Sequence, residues 1–397
     1  MAQADQAEAL TRADWRTGGF GVYVHWPFCM AKCPYCDFNS HVSRSVDQAA
    51  WRSALSREMQ HMRVLSGARR ADTVFFGGGT PSLMPPETVA TLIEAIDDLW
   101  GLAPAAEITL EANPTSVEAT QFAGYASAGV NRISMGIQAL DDADLRALGR
   151  MHSVAEARGA FDIARSVFAR VSFDLIYARV GQTTAAWQRE LEQALAMAVD
   201  HLSLYQLTIE PGTRFGALHD AGRLEVLPDE RAAEMYEITQ SMTSAAGMPA
   251  YEISNHARAG AQSRHNLVYW RYGDYAGIGP GAHGRITGPD GVRRAIETRS
   301  DPAMWLADVG QAGHAVTVAE PLSAHEQATE MVLMGLRLAE GIAPARYRRL
   351  CSARLPQAGI DRIIASGHLM RRGDRLAATA AGRIVLNSVL AELLRAP

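Results

Sequence analysis

The sequence predicts an α/β fold, an open or partial barrel of parallel strands followed by a helical C-terminal domain. Two observations carry the barrel. Through the first two thirds of the chain, apolar β-branched runs alternate with amphipathic helical stretches, the pattern of right-handed βαβ units. The chemically distinctive residues also fall where those runs end, and parallel α/β folds place their sites at strand C-termini. A third observation sets off the rest: after about residue 250 the texture changes to aromatics, glycine and histidine, and from about residue 300 it turns helical.

Taken in order, the expected strands are 20–25, 72–77, 107–112, 132–138, 171–177 and 201–207. Helical patterns lie between them near 47–66, 87–100, 116–128, 153–168, 184–199 and 229–246. Six such units fall short of the eight that close a full barrel, hence the partial form. Residues 251–284 read as strands and loops rather than a long helix. The closing stretch LAATAAGRIVLNSVLAELLR reads as a short strand leading into an amphipathic helix. The expected division is a disordered tail over 1–18, a barrel over 19–250, a linking segment over 251–300 and a helical domain over 301–397.

Composition narrows the function classes. The 397 residues are 48% hydrophobic and 20% charged, as in an ordinary soluble chain. A net charge of −5 argues against nucleic-acid binding through a basic surface. The N-terminal residues lack the basic and apolar regions of a secretory signal, and no apolar run is long enough to span a bilayer, so a cytoplasmic location is expected, with membrane association only through partners.

Of four cysteines, Cys29, Cys33 and Cys36 stand within YVHWPFCMAKCPYCDF, directly after the first strand. Clustered thiols without a targeting segment point to a metal rather than a disulfide framework. Soft thiolates favour zinc or iron–sulfur clusters. A cube held by three cysteines keeps one iron open to a small molecule. Zinc remains the competing reading, with His25 or His41 as fourth ligand. Cys351, far away in sequence, reads as an incidental free thiol. GGGTPS, closing the second strand, lets the backbone approach a ligand closely and has no following lysine of a nucleotide P-loop. Glu111, Gln138, Arg150 and Asp174 gain meaning only from their position on or beyond the strands.

These segments together resemble the radical S-adenosylmethionine (SAM) family. The likeness narrows to the branch of oxygen-independent coproporphyrinogen III oxidases and their relatives, on YVHWPFCMAKCPYC, FFGGGTPS, EANP, SMGIQ, LGRMH and FDLIY. The resemblance implies a partial (β/α)6 barrel, with a winged-helix-like C-terminal domain as one option. It implies Cys29, Cys33 and Cys36 as ligands of a [4Fe–4S] cluster. Tyr23, Tyr35, Gly78, Gly79, Thr80, Glu111, Gln138, Arg150 and Asp174 match positions that hold SAM there. No catalytic residue is assigned.

Two departures separate the chain from the oxidases. Phe38 stands where they usually carry a further cysteine, and strand one begins by about residue 20 rather than after a longer extension. Both features resemble the HemW-type heme chaperones. Their H-N-x-x-Y-W motif is matched by His265, Asn266, Tyr269 and Trp270, which the resemblance implies as heme-binding, while His283 reads as structural. The implied function is binding of a [4Fe–4S] cluster, SAM and heme, and delivery of heme to acceptor proteins of respiration, with an electron donor as an optional partner. The alternative is coproporphyrinogen oxidation. A last departure is Ala178-Arg179-Val180, where relatives often read Gly-Leu-Pro.

Overall fold

The computed structural model describes residues 13–395. In chain order the strands are β1 (Phe20–Trp26), β2 (Phe28–Cys29), β3 (His41–Val42), β4 (Ala71–Gly78), β5 (Leu102–Ala112), β6 (Arg132–Gln138), β7 (Arg170–Tyr177) and β8 (His201–Gln206). They continue as β9 (Asn255–Ala257), β10 (Asp274–Ile278), β11 (His283–Thr287), β12 (Arg293–Thr298), β13 (Val316–Pro321), β14 (Leu369–Arg372) and β15 (Arg375–Ala378). Eleven of them form one mixed sheet in the order β13-β12-β11-β10-β1-β4-β5-β6-β7-β8-β9.

The six expected strands are β1 and β4 to β8, each parallel to its neighbour. β1 and β7 are buried on both faces, as strands between helices and a barrel interior must be. Between β1 and β8 the helices Gln48–Ser66, Pro86–Trp100, Val154–Val167 and Thr184–Met197 follow the predicted spacing, and Asp229–Ala245 follows β8. Local chemistry sets their ends. Asp47 accepts the N–H groups of Ala49 and Ala50, and Ser153 with Glu156 forms a capping box. The stretch 116–128 breaks into two short helices, Ser116–Ala119 and Phe122–Ser127.

The sheet extends further than the sequence pattern indicated. A seventh parallel strand, β10, pairs with β1 from Phe20↔Asp274 to Val24↔Ile278. An antiparallel meander of β11, β12 and β13 grows from it, so β13 lies inside the stretch expected to be helical. Residues 251–300 are strands and loops as expected, apart from a seven-residue helix, Arg264–Trp270. Of the expected tail, residues 1–12 lie outside the described residues, and the remainder departs from disorder. Asp14–Thr17 form one 3-10 turn, because buried Asp14 pairs with Arg346 at 2.7 Å.

The main core packs the sheet against its helices through residues such as Phe20, Phe76, Met59, Trp187 and Phe173. A separate apolar cluster including Met331, Leu336, Leu350, Ile360 and Leu390 holds the C-terminal helices around the β14–β15 hairpin. Among the described residues no helix is long and apolar enough to cross a membrane.

Candidate cofactor site

The loop after β1 carries the three thiols. It is pinned at both ends: β2 pairs with β3, and Asn39 donates to the carbonyls of Pro280 (2.9 Å) and Ser300 (2.8 Å). The loop therefore sits over the strand ends. The glycines of GGGTPS permit this approach. Gly78 has φ +112°, and a Cβ there would stand 2.7 Å from the His25 ring. At Gly79 a Cβ would stand 2.7 Å from the Phe28 carbonyl oxygen and 3.0 Å from Cys29 Sγ. Only glycine fits such positions.

Cys29, Cys33 and Cys36 line one cavity of about 490 Å³. Tyr35, Gly78, Gly79, Thr80, Glu111, Gln138, Arg150 and Asp174 line it too. The structure thus brings together every sequence-assigned SAM residue except Tyr23. That residue does not line the cavity, and its hydroxyl meets His25 Nδ1 at 2.9 Å.

A hydrogen-bonded arc joins two of the thiols. Thr80 Oγ1 donates to Cys29 Sγ at 3.4 Å, and Asn113 Nδ2 donates to Thr80 Oγ1 at 3.3 Å. Arg150 Nη2 donates to Asn113 Oδ1 at 2.6 Å, and its Nη1 to Cys33 Sγ at 3.5 Å. Such contacts orient ligands and favour thiolates. Burial pushes the Cys29 thiol up, against the pull of Thr80. Sequence reasoning did not single out Asn113, although it stands in the matched EANP segment.

The same cavity carries acidic residues. Gln138 lies at φ 73°, where the β6–β7 pairing shifts register, and its Nε2 donates to Asp174 Oδ2 at 3.0 Å. The Ile137 N–H donates to the other carboxylate oxygen at 3.1 Å. Burial raises Asp174 to about 6, opposed by the Arg150 guanidinium. Burial, with the Asp174 charge second, raises Glu111 to about 7. Next to β7, Ala178 keeps the left-handed conformation at φ 56° without glycine. The neighbouring Arg179 is buried between Asp144 (2.6 Å) and Glu190 (2.7 Å).

These donors fit an iron–sulfur cube better than a single ion. Among the described residues, no three or more His, Cys, Asp or Glu side chains gather on one ion position. Thiols spread around a cavity suit a cube, in which each sulfur binds a different iron. Of the two histidines offered as a fourth zinc ligand, His25 has both ring nitrogens engaged, Nδ1 on Tyr23 and Nε2 on the Asn39 carbonyl, whereas His41 has a partner on Nε2 alone, Asn39 Oδ1 at 3.0 Å.

The H-N-x-x-Y-W residues lie elsewhere; none of them lines this cavity. His265 is 1% exposed and stacks on Phe75 with ring centroids 5.1 Å apart. Its Nδ1 meets Thr73 Oγ1 and its Nε2 meets the Tyr269 hydroxyl, both at 2.7 Å. Burial lowers this imidazole to about 3, so the ring is neutral and both nitrogens are engaged. Trp270 packs in a small cluster with Tyr251, Ala261 and Leu338. His283 is exposed beside Glu297, and Cys351 Sγ donates to the Tyr347 carbonyl.

A partial parallel barrel with three thiols, glycines and acids at its strand C-termini is an arrangement suited to a cluster beside a small ligand. Comparison with known proteins agrees. The radical SAM superfamily matches residues 23–194, and the HemN C-terminal domain matches residues 322–385. The heme chaperone HemW of Escherichia coli (strain K12) is 38% identical over 93% of this chain and 96% of its own. The mitochondrial radical S-adenosyl methionine domain-containing protein 1 of Bos taurus is 44% identical over 83% of this chain and 75% of its own. The structure of coproporphyrinogen III oxidase (HemN) from Escherichia coli superposes with a TM-score of 0.79 over 96% of this chain and 93% of that one, at 19% identity, a likeness of fold. The chain belongs to the radical SAM superfamily, in its HemW-like branch. The cofactors of that family are a [4Fe–4S] cluster and SAM.

Proposed function

We propose that this protein is a heme chaperone: it holds a [4Fe–4S] cluster on Cys29, Cys33 and Cys36, holds SAM beside it, binds heme and delivers it to acceptor proteins. The carrying observation is the cavity itself, lined by three thiols together with Glu111, Gln138 and Asp174, with no further cysteine at position 38. When bound, the cluster supplies the electron that cleaves SAM reductively. The residues of this chain bind and orient. Glu111 and Asp174 offer carboxylate acceptors to the ligand's donors. Arg150 holds Cys33 and Asn113 in place, and Gly78 and Gly79 let backbone reach the ligand. Heme binding and transfer rest on the likeness to the HemW relatives. Ligation of heme by His265 would require Tyr269 or Thr73 to release its ring nitrogen.

The test is anaerobic reconstitution with iron and sulfide, followed by electron paramagnetic resonance with and without SAM, then hemin titration. A SAM-dependent spectrum and stoichiometric hemin binding are expected, and both the SAM response and the cluster signal should vanish in Cys33→Ala. Robust conversion of coproporphyrinogen to protoporphyrinogen with SAM and reductant would replace the chaperone reading with an oxidase.

A further inference from the structure

All but one of the 38 lysine and arginine residues are arginine, and the exception is Lys32, between Cys29 and Cys33. A chain that uses arginine everywhere else keeps an ammonium at the mouth of its cofactor cavity. Lys32 is exposed, lines that cavity, and makes one long hydrogen bond, to the Ser40 carbonyl at 3.3 Å. The other arginine or lysine on the cavity wall, Arg150, is committed to Asn113, Gly136 and Cys33.

The same mouth carries large apolar side chains that folding leaves in water. Met30 is 53% exposed, Phe38 60%, Val117 72% and Met151 75%, and all four line the cavity. Scattered exposed apolar residues need no explanation, but four that line one cavity mark a binding surface. Two of the four are methionines, whose flexible thioethers adapt to flat or irregular partners. The rim is held rigidly. Gly149, at φ +69°, packs against Pro34, and Asn39 anchors the far side of the loop. A cavity of about 490 Å³ is of small-ligand size, too small to take a macrocycle in addition to a cluster and SAM. With cluster and SAM inside, a macrocycle has the rim left to lie on.

We propose that heme docks flat across the mouth of the thiol cavity, its face on Met30, Phe38, Val117 and Met151 and one propionate carboxylate paired with Lys32. The assignment rests on the chaperone reading above and gives it a site. An apolar ring edged by carboxylates matches an apolar rim with one ammonium in charge and in polarity. A lysine suits the task because its stem lies along apolar surface while its head follows a carboxylate without fixed fork geometry. The buried, doubly bonded His265 is not needed for this first contact.

Full-length protein, reconstituted anaerobically, is titrated with hemin and, separately, with hemin dimethyl ester, following the Soret band. The triple variant Met30→Ser/Phe38→Ser/Met151→Ser is expected to weaken hemin binding about tenfold or more, from the apolar area it removes. Its iron and sulfide content should stay at the wild-type level, since these side chains are exposed. Lys32→Gln is expected to weaken hemin about threefold, as for an exposed ion pair, and leave the dimethyl ester unaffected. Wild-type hemin affinity in the triple variant, with loss in His265→Ala, overturns the rim site and moves heme to the barrel interior. Failure of the wild type to bind hemin at all sinks the chaperone reading and the rim site with it.

Discussion

Among single residues, Glu111 is where burial and function pull in opposite directions. Its carboxyl sits in the cavity wall with a proton affinity raised to about 7, against an ordinary 4.5. Between those values the native protein holds a proton that the unfolded chain has released, so the stability of ligand-free protein falls as pH rises through this window. Asp174 adds the same trend between 3.8 and about 6. Ligand binding runs the other way, because the ionised carboxylate is the stronger acceptor. SAM affinity of the reconstituted protein should therefore rise from pH 6 to pH 8. In Glu111→Gln that rise should flatten, and affinity at pH 8 should drop by about 1.5–3 kcal/mol, as for a hydrogen bond to a charged group. Calorimetric titration at three pH values checks this, and an unchanged pH slope in the variant would remove Glu111 from the ligand's contacts. Glu111 was legible because it closes a strand within a matched segment. Asn113 was not, since an asparagine before proline reads as a turn residue, and its bonds to Thr80 and Arg150 exist only after three strands have converged.

The loop between β1 and the helix Gln48–Ser66 shows how one element is fixed by another far along the chain. The cysteine spacing reveals what the loop binds, but nothing in its sequence reveals what it leans on. Asn39 supplies that support, through the carbonyls of Pro280 and Ser300 in the turns around β11 and β12. A Cβ at Gly281, at φ +72°, would collide with the Asn39 amide at 2.6 Å, so glycine is required for the contact. Asn39→Ala should cost about 1 kcal/mol, because the partly buried Pro280 carbonyl loses its donor while the exposed Ser300 carbonyl can turn to water. The effect should be local: amide exchange should accelerate across 29–42, and a chelator should strip iron faster than from wild type. Exchange that changes equally in β5 and β6 would mean the loop is not separately anchored. The strand β10 lies in a stretch expected to hold strands and loops, but its bounds and its pairing were not legible, for a related reason. DYAGI is short and glycine-flanked, and its strand character comes from pairing with β1 rather than from its own pattern.

At the scale of the whole molecule, the barrel and the C-terminal helices were legible from periodicity, whereas their joint was not. It depends on residues 332 positions apart, Asp14 and Arg346. Arg346, from the helix Pro344–Cys351, donates to both Asp14 carboxylate oxygens and to the carbonyls of Arg271 and Tyr272. Tyr272 is held at φ 53°, its ring 3.6 Å from the Arg293 guanidinium and its hydroxyl 2.8 Å from Glu330. One arginine thus gathers the first turn, the end of the Arg264–Trp270 helix and the C-terminal helices at a single point. Arg346→Met should cost about 3–5 kcal/mol, because it leaves a buried carboxylate without a partner. Adding Asp14→Asn should recover part of that loss, which identifies the pair as the source. Hydrogen exchange should locate the damage at residues 14–18, 271–273 and the C-terminal helices, with β4 to β7 still protected. If the strands of the barrel lose protection together with the C-terminal helices, the two cores unfold as one unit and the joint is not where the molecule comes apart.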